Sequence, residues 1–148
     1  MDHVIALPRH VAAGLLARTP AKVLAPLADR ILASAGPDGL VIVRPPRVGT
    51  IVVQVREPLA GDRFILADAV ATSCEVHLDQ ARGWGIRLGE DPRGALAQAV
   101  CEAELTRQGD LEAEIAHLLD DRRDELTRAR AAEWERLRPT IVQFEEVL

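Results

Sequence analysis

Aromatic side chains are scarce in this sequence of 148 residues, which contains two Phe, two Trp and no Tyr. Four rings are too few to form a platform on which a single-stranded nucleic acid stacks its bases. The formal net charge is −5, so the phosphate backbone of a nucleic acid would on average be repelled. Both observations exclude nucleic acid as an expected partner.

Cysteine is also rare, since only Cys74 and Cys101 occur, and their spacing matches neither a zinc site nor a redox motif. We expect two buried reduced thiols rather than a disulfide, because a chain of this length has a core large enough to fold without a covalent staple. No apolar run reaches membrane-spanning length, and the first residues lack the basic segment of a leader peptide. We therefore expect a cytoplasmic protein that does not contact a membrane.

The remaining composition is that of an ordinary globular protein, with 48% hydrophobic and 28% charged residues, and its length predicts one domain over 1–148. Two helices are predicted near the start, at 9–16 and 20–35. Thr19 has the residue type of an N-cap for the second helix, and Pro26 is expected to bend it. The first quarter of the chain is therefore predicted to be helical.

Extended structure is predicted to fill the middle of the chain. The alternation of apolar residues predicts four strands, at 40–43, 50–56, 63–78 and 84–88. Residues 44–49, which include two prolines, are expected to form a rigid turn. Asp68 interrupts the apolar alternation, which predicts either a bulge near Ala67 and Asp68 or a carboxylate that faces a partner.

Two more helices are predicted after the strands. Asp91 and Pro92 begin a helix that reaches about Arg107, and a long helix from Asp110 ends before Pro139, with an apolar stripe running to Leu137. The apolar tail 140–144 is expected to be an added strand or a docking peptide. The predicted fold class is α+β: a mostly antiparallel four-stranded meander on which two N-terminal and two C-terminal helices pack.

The sequence contains few patterns of catalytic or metal-binding residues. Glu114 and His117 have the helical spacing of di-iron ligands, but a single such pair lacks the further carboxylates that site needs, so an exposed helix face is favoured. Gly83 and Gly85 flank Trp84 at the start of a strand rather than between a strand and a helix. They are therefore interpreted as glycines that allow close packing on the sheet, not as a dinucleotide fingerprint.

No nucleophile with an adjacent base is evident. Cys74 and His77 are predicted to point to opposite faces of one strand, and the four histidines are dispersed. Basic residues recur at predicted turns and strand ends, where they form an anion site, an interface or, more commonly, a solvated rim: Arg44, Arg47, Arg56, Arg63 and Arg87. We expect no cofactor, no metal and no self-contained catalytic site.

Residues 64–78, FILADAVATSCEVHL, resemble the signature strand of the PhnG family, the G subunits of the bacterial carbon–phosphorus lyase system, which reads approximately F-N-L-G-E-x-x-V-T-R-C-x-V-x-L. The resemblance continues at Gly83, Gly85, Gly89 and Asp91 and in the alanine-rich helix after them. Segment 44–53 resembles the proline- and glycine-containing approach to a strand, and 141–144 resembles the apolar tail. The resemblance covers nearly the whole chain.

This chain departs from the family pattern at several positions. The Gly-Glu pair of the signature is Ala67 and Asp68 here, and two family arginines are replaced by Ser73 and Glu90. The glycine-rich connection between strands is replaced by 57–61, EPLAG. The loss of two arginines indicates a divergent branch whose anion contacts have changed.

The resemblance implies an accessory subunit. Together with the H, I and L subunits, the family replaces the adenine of ATP by methylphosphonate, which gives α-D-ribose 1-methylphosphonate 5-triphosphate, and the J subunit later breaks the carbon–phosphorus bond. The nucleosidase chemistry belongs to the I subunit, the expected principal partner, beside H, J and L and a second copy within the complex. Candidate interface residues are Arg44, Pro46, Asp68, Thr72, Asp91 and Phe144.

Two other interpretations remain open at this stage. The chain is alternatively a homodimeric α+β scaffold joined through its long charged helix or an exposed strand edge. Less favoured is a small independent enzyme that uses Asp68 and His77, which requires a bulge to bring the two side chains to one face.

Overall fold

The computed structural model describes residues 7–36 and 38–142. Within them, two helices precede a sheet and two follow it, which confirms the α+β class. The elements are α1 (Arg9–Arg18), α2 (Ala21–Ala35), β1 (Leu40–Arg56), β2 (Arg63–Leu78), β3 (Ala81–Leu88), α3 (Pro92–Arg107) and α4 (Glu112–Leu137), followed by a short 3₁₀ helix (Arg138–Thr140).

The sheet is an antiparallel meander in the order β1-β2-β3, as predicted, but the prediction of four strands is wrong. Residues 44–49 are not a turn, since they lie inside a single 17-residue strand, β1. β1 is an edge strand, where a proline is tolerated because its missing N–H removes no ladder hydrogen bond. The pairing register with β2 shifts between Ile42 and Arg47, so Pro45 and Pro46 are accommodated by an irregularity instead of a turn.

α3 packs closely on one face of the sheet because two glycines of β3 leave room for its backbone. A Cβ atom at Gly83 would lie 1.9 Å from the carbonyl oxygen of Ala99, and one at Gly85 would lie 2.2 Å from that of Ala95. This confirms the predicted role of the glycine pair. Cys74 and Val76, paired with these glycines on β2, belong to the same buried core.

The helix boundaries follow mostly from local residues. The Asp91 carboxylate accepts a hydrogen bond from the backbone N–H of Gly94 at 2.8 Å, which confirms the predicted cap of α3. Gly36 ends α2 with φ at +77°, a backbone conformation that favours glycine. Thr19 does not cap α2, because its hydroxyl donates to the Leu15 carbonyl at the end of α1.

Only the first half of α4 packs on the body. Ile115 and Leu119 are buried and Leu126 is partly buried, whereas the side chains beyond Leu126 are exposed, including Trp134 and Leu137. The prediction of one packed stripe through Leu137 is therefore wrong for the second half, which projects past α1 and α3.

The predicted tail lies largely outside the described residues. Thr140 ends the 3₁₀ helix, and Ile141 and Val142 are exposed and not in a strand. Residues 143–148 are not described. No single helix in the described ranges is long and apolar enough to cross a bilayer; α1 and α2 meet that criterion only jointly and are bent by 118° relative to each other.

Both thiols are free and buried, as predicted. Burial raises the pKa of Cys101 to about 12, and burial also raises the pKa of Cys74. At pH 8 roughly one Cys101 in ten thousand is then a thiolate, the reactive form. We expect an aromatic disulfide reagent to label no thiol of the native protein at pH 8 and two thiols in denaturant. Rapid labelling of the native chain would contradict this burial.

Candidate docking surface

The β1–β2 hairpin extends well beyond β3. The last pair between β2 and β3 joins Ala71 to Leu88, whereas β1 and β2 remain paired out to Arg56 and Arg63. We call residues 50–56 and 63–70 the arm. A two-stranded ribbon is marginally stable on its own in water. The arm is therefore a candidate for stabilisation by another surface.

Exposed apolar side chains cover the arm. Val52, Ile65 and Leu66 are 61%, 67% and 61% exposed. Phe64 and Val70 are exposed as well. Contiguous apolar surface of this kind commonly marks an interaction site in a soluble domain.

A bulge in β2 determines which residues share a face of the arm. Val53 pairs with Ala67 and Gln54 pairs with Ile65, so Leu66 is the extra residue. The predicted bulge near Ala67 and Asp68 therefore lies one position earlier. Because Asp68 is on the body side of the bulge, it keeps the phase of Thr72 and stays on the face opposite to that of His77.

Asp68 is exposed and lies opposite Val52 in the arm. It is the single charged residue among positions 48–55 and 64–70. Its carboxylate makes no ion pair with any residue in the described ranges. The position fits the predicted carboxylate that faces a partner.

Arg44 and Pro46 lie on β1 beside the body of the sheet. The side chain of Arg44 is 76% exposed and lies 3.4 Å from the buried carboxylate of Glu75, which Arg82 contacts at 2.7 Å. Pro46 is half-buried. Arg44 therefore presents its guanidinium at the surface, where a partner can reach it.

Thr72 and Asp91 have internal roles. The Thr72 side chain is fully buried; its hydroxyl donates to the Gly89 carbonyl at 2.7 Å and accepts the backbone N–H of Asp91 at 2.9 Å. Asp91 in turn holds Arg87. These two candidates are brought together and join β2, β3 and α3; Thr72 is inaccessible to a partner, whereas the Asp91 side chain is 31% exposed. Phe144, the sixth candidate, lies outside the described residues.

Asp68 and His77 are not brought together. They are nine positions apart on β2, about 30 Å at the usual rise of a strand, and the bulge at Leu66 does not lie between them. This separation removes the geometric basis for an independent enzyme that uses both side chains.

The Glu114 and His117 pair, considered above as possible metal ligands, lies on an exposed helix face. Glu114 is exposed and accepts two hydrogen bonds from Arg30, whose guanidinium lowers the pKa of that carboxyl group. His117 is exposed on the same helix. Among residues 7–36 and 38–142, no group of three or more His, Cys, Asp or Glu side chains is arranged to hold a metal ion.

One open cleft of about 620 Å³ lies between the end of α2, the β2–β3 turn and the α3–α4 connection. The basic residue that lines this cleft, Arg107, forms ion pairs with Asp79 and with the buried carboxylate of Glu104. The two hydroxyl residues that line it, Ser34 and Thr106, each donate to a carbonyl of their own helix. Among the described residues that line the cleft, neither hydroxyl donates to a base.

Sequence reasoning missed the role of Glu102. This buried carboxylate of α3 accepts the backbone N–H of Trp84 on β3 and the guanidinium of Arg9 on α1. It thereby occupies a donor on the outer edge of β3. Its spacing in α3 offered no signal, because the interaction joins residues 18 positions apart.

Fold and surface together define a small α+β protein with a projecting apolar arm and without a catalytic constellation in its described residues. A family model for the phosphonate metabolism protein PhnG matches residues 7–148, nearly the whole chain. The chain therefore belongs to the PhnG family, which has a role in phosphonate metabolism as part of the carbon–phosphorus lyase complex. No curated protein matches the chain.

Proposed function

We propose that this chain is an accessory subunit of a carbon–phosphorus lyase complex in the cytoplasm. It acts with the H, I and L subunits in forming α-D-ribose 1-methylphosphonate 5-triphosphate from ATP and methylphosphonate. The I subunit is its principal partner and carries out the nucleosidase step. The main support for this proposal is the family match over residues 7–148.

Two features of the surface support a docking role. The arm exposes apolar side chains on both strands, and the second half of α4 projects with Trp134 and Leu137 exposed. Arg44 adds an exposed guanidinium on β1 beside the body of the sheet. A subunit can be required for a reaction without its own nucleophile when it completes or orders the site of a neighbour.

The test is to co-express the chain with the H, I and L subunits of a carbon–phosphorus lyase system. We expect a stable complex that converts ATP and methylphosphonate into the triphosphate product with release of adenine, measured by phosphorus NMR and chromatography. Omission of this chain is expected to lower product formation at least tenfold. The purified chain alone is expected to bind neither ATP nor methylphosphonate tightly in calorimetry.

A matched pair of variants separates docking from folding. Trp134→Ala together with Leu137→Ala removes the apolar groups of the projecting helix, whereas Arg128→Ala changes an exposed position of the same helix. We expect only the first to reduce co-purification, with unchanged helical content by circular dichroism. Full product formation without this chain would refute the proposed function.

A further inference from the structure

The side of β2 that faces away from β1 is an open strand edge within the arm. The Val70 carbonyl accepts the backbone N–H of Gly89, just past the end of β3, at 2.8 Å. In an antiparallel ladder the N–H and C=O of one residue point to the same side, and that side alternates along the strand. The backbone of Asp68 therefore points to the same side as that of Val70, where β3 has already ended.

The same reasoning applies at the other end of the arm. The backbone N–H of Glu57 donates to the Asp62 carbonyl across the hairpin, so the backbone of Asp62 faces β1. Its neighbour Arg63 then faces the open side. Asp68 and Arg63 thus both have backbone groups available at this edge, on either side of the bulge.

The side chains along this edge are self-complementary. Residues 63–68 read Arg-Phe-Ile-Leu-Ala-Asp, with a positive end, four apolar positions and a negative end. When two such segments pair antiparallel about a two-fold axis between Ile65 and Leu66, Arg63 of each copy lies opposite Asp68 of the other. The apolar residues then lie opposite apolar residues, which is the favourable cross-strand arrangement.

Neither charge has an ion-pair partner of opposite sign among residues 7–36 and 38–142. Arg63 is exposed, makes no ion pair within the described ranges, and lies directly opposite Arg56 across the hairpin. Like charges in directly opposite positions disfavour strand pairing. A carboxylate from outside the chain would relieve this repulsion, and Asp68 of a second copy supplies it in the register described above.

We infer that the open edge of β2, residues 63–68, pairs antiparallel with the same edge of a second copy of this chain, with Arg63 of each copy against Asp68 of the other. This inference does not depend on the proposed function. It uses an isologous contact, the usual geometry of a homodimer. The projecting half of α4 and the exposed Arg44 remain accessible for different subunits.

The test uses the purified full chain alone, examined by sedimentation equilibrium over a range of concentrations. We expect a monomer–dimer equilibrium. Asp68→Arg and Arg63→Asp should each weaken dimerisation at least about tenfold, because each creates two like-charge contacts across the two-fold axis. The Asp29→Arg variant, which changes an exposed carboxylate on α2, should dimerise like the wild type.

Mixing the two charge-reversed variants tests the proposed charge pairing more directly than either variant alone. When Asp68→Arg protein is combined with Arg63→Asp protein, each contact again joins opposite charges, so we expect a heterodimer although neither variant dimerises well alone. Circular dichroism of each variant verifies folding. A wild-type chain that stays monomeric at all concentrations would overturn the inference, as would a dimer indifferent to both reversals or single variants that fail to associate when mixed.

Discussion

Replacement of Gly83 by alanine is expected to lower the free energy of unfolding by about 3 kcal/mol, at the upper end of the usual cost of overpacking a core. The new Cβ would lie 1.9 Å from the Ala99 carbonyl oxygen and 2.7 Å from the Ala103 backbone nitrogen. Both atoms belong to the backbone of α3, so no side-chain rotation relieves the clash. The helix would have to move away from β3, which would open the core on both sides.

Urea denaturation monitored by circular dichroism measures this effect, with Gly49→Ala as the matched control. Gly49 is also a strand glycine, but a Cβ there would meet no atom within 4 Å. We expect the control to change the free energy of unfolding by less than about 0.5 kcal/mol, as for most exposed substitutions. Equal stability of the two variants would show that α3 is not held against β3 by glycine contacts.

The glycine pair could be predicted from the sequence because the evidence for it is local. Two glycines at alternate positions of a strand project to one face, and a following alanine-rich helix is the natural element to pack there. Asp91 and Pro92 likewise specify the start of α3 through neighbouring residues. These features depend on contacts within a few positions of the chain or on strict strand periodicity.

The length of β1 could not be predicted in this way. Pro45 and Pro46 favour a turn in isolation, and they are compatible with a strand only because β1 lies at the edge of the sheet. Edge position is decided by the order of all three strands, which is a tertiary property. The same holds for α4, where helical periodicity runs past Leu126 without indicating that the body of the protein ends there.

The exposure of the candidate interface residues could not be predicted from strand periodicity alone. Thr72 and Asp68 have the same phase on β2, yet the first is fully buried and the second is exposed. The difference arises because Gly89 and Asp91, in the connection between β3 and α3, lie against Thr72, whereas Asp68 lies in the arm beyond the end of β3. Sequence phase gives the face of a strand, but it does not show how far along the strand a neighbouring element reaches.

Arg87 illustrates the energetic consequence of an interaction that the sequence did not reveal. The sequence placed this residue among basic groups of an anion site, an interface or, more commonly, a solvated rim; the solvated rim is wrong for Arg87, because its guanidinium is buried and donates three hydrogen bonds. Its Nε donates to Asp91 at 2.8 Å, and its two terminal nitrogens donate to the carbonyls of Leu16 at 3.0 Å and Thr19 at 2.7 Å. One side chain thus joins β3 to the end of α1 and the start of α3.

We expect Arg87→Met to lower the free energy of unfolding by about 2 to 4 kcal/mol. Methionine retains much of the apolar volume, but it removes the side-chain donor from the Thr19 carbonyl and from one carboxylate oxygen of Asp91. The Leu16 carbonyl keeps only its bond from the Thr19 N–H. Arg87→Lys should recover only part of the loss, because a single ammonium group cannot reproduce a planar fork with three separate acceptors. Chemical denaturation of both variants measures the difference.

Arg93→Met is the matched control, since Arg93 is an exposed arginine in the first turn of the same helix α3. We expect it to change the free energy of unfolding by less than about 0.5 kcal/mol. If Arg87→Met were as stable as this control, the three hydrogen bonds would contribute little to the fold. A loss of stability in Arg87→Met would show that Arg87 holds the end of α1 against the sheet. Unchanged dimerisation of the folded fraction would show that self-association through the arm does not depend on this contact.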